Sequence, residues 1–439
     1  MIFLIGVQCH LTEVSTLSPN KEELRFSLDL AVKCLINPPI YNNDRSSPAF
    51  GGFNGIHCLT KPRGKYEKPF VYTEITGYGV LICLKLWMWK KNQMFLELAR
   101  RAGDWIVKAQ YLGSNKKAYG GFFDRYYKDT SEFYPYLYTY PAAVCCAALT
   151  KLYKSTKESK YLETAIKAAD WLGDVMWQPL SRAKGALKEC YNLAKDRFSM
   201  RLYPYEAICT ALTLMLFDAL LKDERHSSIV EKALSWALAT QNKDGSFPMY
   251  YDLTEGKYNS VLYTHFIAYT LYNLVGFPLL DLSEMLNNVS YMEKAIKCAD
   301  WLIKSQDEDG GLFTYYHSFG KHSWHKQSPS VAQAACAWLK LYEITGQERY
   351  MKGAIKAIRW LIENQHKVTD KKHLAGGFYW IYPNKEVRFI DKIWGAADRF
   401  TRKLGFAHPH LQFLDRIPTW TTQFAIEALY NPEKTLLKA

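Results

Sequence analysis

Glu74 in VYTEITG and Glu206 in LYPYEAI each stand one or two places behind a tyrosine at the head of an apolar helical run. Paired with each other, or either with Asp124 of GGFFDRYY, they supply what acid–base chemistry needs: one carboxyl kept protonated to assist a leaving oxygen and one ionised. His265 of LYTHF, with Tyr138 and Tyr140 of LYTYP, are further candidates to move a proton. Arg125, next to Asp124, is placed to neutralise a negative charge on a ligand. Each also has a plainer reading. A glutamate in a first turn complements the helix dipole, serine, threonine and proline there serve as caps, and a histidine leading an apolar helix can be a satisfied core residue.

The residues around these candidates suit binding. Tyr72, Tyr203, Tyr205 and Tyr263 make a series of phenols at helix starts, and Trp420 and Gln423 open the last one. Phenols pack on sugar faces and hydrogen-bond hydroxyls. His57, Asp252, Tyr315, Tyr316, His317 and Trp380 come from the glycine-led aromatic segments between helices. HSFGKHSWHK holds His317, His322 and His325 within nine positions. Its spacing matches no zinc signature and no nearby Cys or Asp completes a shell, so substrate contact is expected there and no metal or other cofactor.

Positioning these residues takes a repeated scaffold. FLELARRAGDWI, YLETAIKAADWL, YMEKAIKCADWL and YMKGAIKAIRWL share one helical register, and Trp105, Trp171, Trp236, Trp301 and Trp360 recur every 59–66 residues. Glutamine follows tryptophan by five in four copies: Gln110, Gln241, Gln306 and Gln365. Between the copies lie helices apolar on nearly every side, such as EAICTALTLMLFDALL, which must be buried. With a weaker outer helix at 23–36, six outer helices alternate with six inner ones. An open solenoid would need polar caps and leave one face of the inner row uncovered; closing six hairpins into a ring buries that row. An all-α (α/α)6 toroid is expected over 23–430, with an N-terminal extension at 1–22 and a tail at 431–439. The glycine turns, Gly51-Gly52, Gly120-Gly121, Gly310-Gly311 and Gly376-Gly377 with Gly245, are expected to serve as caps or tight turns near the outer-helix ends. All six inner helices then start at one mouth, where their N-terminal dipoles favour negative charge.

Twelve alternating helices with Q…DGGF turns resemble the α/α toroids shared by six-hairpin glycosidases, sugar epimerases, polysaccharide lyases, and terpenoid cyclases with their prenyltransferase relatives. The resemblance implies an enzyme acting on an oligosaccharide, one bearing uronic acid or another acidic sugar. Its chemistry would be hydrolysis by a carboxyl pair, or epimerisation or elimination with Tyr or His265 exchanging the C5 proton. An isoprenoid cyclase or prenyltransferase is the alternative, although DEDGG at 307–311 reads as a turn and not as a DxDD proton donor. A non-catalytic glycan-binding toroid is the third.

Composition narrows the rest. The chain has 439 residues, 48% of them apolar, and a formal net charge of +13 spread largely over helix faces. No zinc-finger spacing, RNP motif or concentrated basic helix points to nucleic acid. MIFLIGV has neither the basic lead nor the cleavage site of a signal peptide, and no membrane span is expected. Ten cysteines without a CxxC, most within apolar helices, read as free thiols in a reducing cytoplasm. The sequon at Asn288 is then accidental. Residues 384–417 form a long connection expected to act as a lid or subunit contact, with Arg399, His408 and His410 closing over the ligand.

Overall fold

The tryptophan phrases fold into amphipathic outer helices, and the apolar runs between them into helices that water does not reach. The computed structural model describes residues 19–58, 69–177, 183–276, 289–316, 323, 325–367, 374–382 and 416–435. Among these, the outer helices are α1 (Lys21–Ile36), α3 (Gln93–Lys108), α5 (Ser159–Asp170), α7 (Ser227–Ala239), α9 (Val289–Ser305) and α11 (Glu348–Glu363). The inner helices are α2 (Thr73–Lys90), α4 (Thr139–Thr156), α6 (Pro204–Leu221), α8 (Thr264–Leu274), α10 (Ser328–Thr345) and α12 (Thr419–Thr435). In α4 every residue from Thr139 to Thr150 is buried, whereas α3 buries only the stripe Phe95, Leu98, Ala99, Ala102, Trp105 and Ile106 with Leu96 and Gly103. One inner helix, α6, is long and apolar enough to cross a membrane by composition, and here it is packed inside the ring.

Each inner helix touches the next, and α12 returns to α2, so the ring is closed. Its far end is blocked by polar groups: Glu427 on α12 accepts from Lys85 on α2 at 3.0 Å and from the Tyr272 hydroxyl on α8 at 2.5 Å. Helix α1 is set by a capping box, in which the Asn20 side chain accepts from the Glu23 amide and the Glu23 carboxylate accepts from the Asn20 amide.

The glycine turns hold neighbouring units together rather than capping the helices they follow. Gly376 has φ +100°, and a Cβ there would lie 2.1 Å from the carbonyl oxygen of Leu30 on α1. The same approach recurs at Gly51 on Arg101, Gly120 on Lys167, Gly185 on Lys232, Gly245 on Lys297 and Gly310 on Lys356, each on the next outer helix around the ring. Where a second glycine follows, as at Gly121 and Gly311, the bare backbone makes room for the indole of Trp171 or Trp360.

The repeated glutamine completes the joint. The Gln365 amide donates to the Gly376 carbonyl at 3.0 Å and to the Ser27 carbonyl on α1 at 2.9 Å. Gln110, Gln241 and Gln306 bridge their own turn glycine and the next outer helix in the same way. The first and third units lack the glutamine; the first has Tyr41 in its place, and in the third the helix ends in a π turn, Trp171–Met176. Gln365→Leu leaves two carbonyls without their donor; an expected loss of about 2–4 kcal/mol is measurable by urea unfolding.

Short antiparallel strand pairs were not foreseen beside the helices. Residues just before an inner helix pair with the segment after the next glycine turn, as Phe70–Tyr72 with Arg125–Tyr127 and Tyr136–Tyr138 with Cys190–Asn192. The alternating aromatic residues of these segments favour extended backbone. The ring closes here too, through Ile56–Cys58 against Arg416–Pro418. Arg416 and Ile417 are thus the described end of the expected lid; Arg399, His408 and His410 lie outside the described residues. Helix α12 continues to Thr435, so the first part of the expected tail is helix.

Candidate active site

Tyr72, Tyr138, Tyr203 and Tyr263 occupy the N-cap positions of α2, α4, α6 and α8, and none of them bonds its helix end through the side chain. The threonine that follows Tyr72, Tyr138 and Tyr263 turns its hydroxyl sideways to a carbonyl of the next unit: Phe123, Lys188 and Phe313 respectively. That fixes the rotation of each helix. Its second and sixth residues, one helical turn apart, then share the face toward the ring axis: Glu74 and Tyr78, Tyr140, Tyr205, His265 and Tyr269, Gln333, Trp420 and Phe424.

Contacts across the ring confirm the convergence. The Tyr78 and Tyr140 hydroxyls are 2.7 Å apart. Tyr140 packs on Tyr205 at 5.0 Å and Tyr269 at 5.3 Å between centroids, and Tyr78 and Tyr269 both pack on Phe424. The Tyr269 hydroxyl reaches the Glu74 carboxyl at 3.4 Å.

The acidic groups lie around this aromatic floor. Glu74, Asp124 and Glu206 are buried. Burial pushes the Glu74 carboxyl up to about 8, with hydrogen bonds from Tyr72 and Tyr269 opposing and the Asp124 charge reinforcing the shift. Burial also raises Asp124, but there the Arg125 guanidinium and the Tyr72 hydroxyl pull the other way. Arg125 Nε lies 2.7 Å from Asp124 Oδ2, and the guanidinium sits over the rings of Phe70 and Tyr72. The Tyr72 phenol interacts with both Glu74 and Asp124. Glu74 is therefore pushed toward its protonated form, and Asp124 is the carboxyl with a cation beside it to oppose that push.

Glu206 is also raised well above the usual carboxylate range, first by burial and then by the charge of Glu189. One of its oxygens meets the Tyr205 hydroxyl at 3.3 Å; the other has no partner. Glu189 is a site residue the sequence reading missed. It occupies the place of Asp124 one unit on: the Thr73 amide bonds the Asp124 carbonyl at 3.0 Å, and the Thr139 amide bonds the Glu189 carbonyl at 2.9 Å. Each stands four residues after its turn glycine, but Gly185 stands alone in AKGALKE, and a search for glycine pairs passes over it.

The other candidates divide. Tyr138 is half-buried, stacked on Tyr136 at 6.0 Å, and raised by burial and by the charge of Asp124. Tyr203 is buried with its ring 5.6 Å from Tyr205 and beside Glu189. Burial holds the His265 imidazole well below its usual range, with a hydrogen bond to Gln333 opposing the shift, so it is neutral; its ring lies 4.5 Å from Tyr269. Trp380 and Trp420 meet edge to face at 5.1 Å, and Trp420 also meets Tyr72. Gln423 donates to the Ile75 carbonyl, beside Glu74. His57 is buried in the strand opposite Ile417, and His325 is buried where its carbonyl accepts from Thr314. Tyr263 and Tyr315 pack together at the rim, 6.0 Å apart. Tyr316 turns outward, donating to the Ser305 carbonyl and packing on Trp301. His317 and His322 lie outside the described residues.

Asp252 is a correction. Its carboxylate accepts from the Thr254 and Glu255 amides at 2.8 and 3.1 Å, and these bonds hold it below the usual range. It shapes a hairpin turn because a short acceptor before a glycine-containing loop satisfies the loop's own amides. Asp252→Asn is expected to leave turnover unchanged and the melting temperature nearly so, read by steady-state kinetics and thermal melting.

Residues 70–261 match the model of glycosyl hydrolase family 76. The chain has the (α/α)6 toroid fold. Among solved structures, this toroid is similar to a D-mannose isomerase (TM-score 0.69, 13% identity, 95% of this chain and 98% of that one). It is similar to the cellobiose 2-epimerase of Bacillus thermoamylovorans (0.65, 13%, 92% and 98%). It is also similar to an unsaturated glucuronyl hydrolase from a Bacillus species, described as responsible for glycosaminoglycan degradation (0.63, 15%, 93% and 95%). No curated protein sequence matches the chain.

Proposed function

We propose that this toroid is a carbohydrate-active enzyme that cleaves a glycosidic bond, with Glu74 as the general acid and Asp124 as the ionised partner. The glycosyl hydrolase match runs over 70–261, includes both residues, and supports the substrate class. The observation that carries the mechanism is Tyr72 interacting with a raised Glu74 on one side and an Arg125-bound Asp124 on the other. Two carboxyls that both interact with one phenol have their nearest oxygens within about 6 Å of each other, since each O–H···O span is at most about 3.0 Å. That separation suits direct attack by the second carboxylate and retention at the anomeric carbon. Protonated Glu74 gives its proton to the leaving oxygen, Asp124 attacks, and Glu74, then ionised, takes a proton from the water that releases the product.

An acidic sugar fits the positive helix starts around the mouth. Arg125, the cation beside the carboxyl pair, is already bound to Asp124, so a substrate carboxylate would share it. The test is therefore a panel of neutral disaccharides in both anomeric linkages together with uronate-ended ones, followed by product chromatography. Cleavage by the protein and none by Glu74→Gln supports the reading; binding without turnover by both proteins would leave a glycan-binding toroid in its place.

His265 favours a second reading, sugar epimerisation, because its neutral ring lies against Tyr269 with Nδ1 lacking a bond of good geometry. Deuterium uptake into the sugar from heavy water, with the glycosidic bond intact, would select it. An isoprenoid chain suits this lumen poorly, since it would cover buried carboxyls and amides without pairing them. The eight described free cysteines, all buried, fit residence in a reducing cytoplasm.

A further inference from the structure

The wall of the lumen contributed by α8, α10 and α12 holds polar groups that the folded chain does not fully pair. Gln333 is the sixth residue of α10, the position at which α2, α8 and α12 place Tyr78, Tyr269 and Phe424. Its side chain is completely buried, and neither its amide nitrogen nor its carbonyl oxygen makes a hydrogen bond of good geometry; a weak bond with the His265 ring leaves the amide short of partners. That ring, on α8, has its Nδ1 buried and likewise without a bond of good geometry. On the other flank Gln423 is fully buried and uses its nitrogen on Ile75, while its oxygen is left over. Buried polar groups are almost always fully paired, so two incompletely paired amides and an imidazole on adjoining helices point to groups supplied from outside the chain.

The chemistry of the vacancies narrows what supplies them. An amide offers donors and an acceptor side by side, and Gln423 offers an acceptor. A hydroxyl answers both, because it donates and accepts at one atom. A carboxylate cannot donate to the amide oxygens, and a hydrocarbon answers neither. The wall is continuous with the acid pair: His265 packs on Tyr269, whose hydroxyl reaches Glu74, and Gln423 bonds the residue after Glu74.

We propose that Gln333, flanked by His265 and Gln423, is the specificity-determining residue that binds a ring hydroxyl of the sugar held against Glu74 and Asp124. This rests on the carbohydrate reading and adds that the enzyme discriminates by a hydroxyl on the sugar's far side. A site built to pair a hydroxyl rejects the analogue lacking it, because its own buried groups are then left unpaired.

The test compares the wild type with Gln333→Leu on the best-cleaved disaccharide of the panel and on its monodeoxy forms. The wild type should prefer the parent sugar over one deoxy form by about 10²-fold or more in kcat/KM, and Gln333→Leu should erase that preference while leaving the others intact. An unchanged preference in the variant overturns the proposal. If the wild type cleaves none of the sugars, the carbohydrate reading fails instead. The proposal then still faces a measurement without ligand: replacing an incompletely paired buried amide by leucine should keep or raise the melting temperature, and a fall would give Gln333 a structural role and overturn it.

Discussion

Glu74→Gln is expected to lower kcat/KM by about 10²–10⁴-fold, the contribution of a positioned acid, with the fold and sugar binding retained. The amide keeps the shape and the bonds to Tyr72 and Tyr269 but has no proton to give. The pH profile separates this from a structural loss. Because the Glu74 carboxyl is pushed up to about 8, the wild type should keep its acid through neutral pH and lose activity as pH rises through that value. The same shift has a stability consequence. Between the ordinary value of 4.5 and about 8 the folded protein holds a proton that the unfolded chain releases. Stability from this group is therefore fully present below about 4.5 and is lost as pH rises to about 8. Glu74→Gln should flatten that part of the stability curve, as measured by melting across the pH range.

Gly376→Ala should be the most damaging small substitution in the scaffold. The new methyl would meet the Leu30 carbonyl at 2.1 Å with backbone at φ +100°, and the contact it breaks joins the last unit to the first. Backbone strain and forced overpacking together are expected to cost about 3–5 kcal/mol. Gly346→Ala is the control: φ there is +67° and nothing lies within 4 Å, so the loss should be about 1 kcal/mol. Equal losses at the two glycines, measured by denaturant unfolding, would show that the close approach to α1 does not hold the ring shut.

The ring was legible in the sequence because its signal is repeated. The tryptophan register, the glutamine five places on and the all-round apolar helices each recur around the chain, and a period that recurs survives local noise. What the glycines do was less legible: a glycine pair announces unusual backbone, but the Leu30 or Lys167 carbonyl it approaches belongs to another unit and leaves no local mark. Glu74, Glu206 and His265 could be found because they follow the tyrosines that open inner helices. Gln333 could not, because it follows Ser328-Pro329 in place of tyrosine and lies among the small residues of an ordinary buried helix. Asp252 shows the reverse error, since an acid next to aromatic residues reads the same whether it faces a lumen or ties a turn. Pairing was beyond the sequence altogether: that Asp124 rather than Glu206 shares Tyr72 with Glu74 depends on the strand register that sets Arg125 opposite Tyr72, across two units.

The most direct measurement is a crystal structure of Glu74→Gln soaked with an oligosaccharide that the wild type cleaves. The account predicts the glycosidic oxygen about 3 Å from the amide at position 74, the anomeric carbon facing Asp124, and a ring hydroxyl on Gln333. A sugar bound outside the ring of inner helices, or inside it with Glu74 and Asp124 both turned from the glycosidic bond, would contradict it.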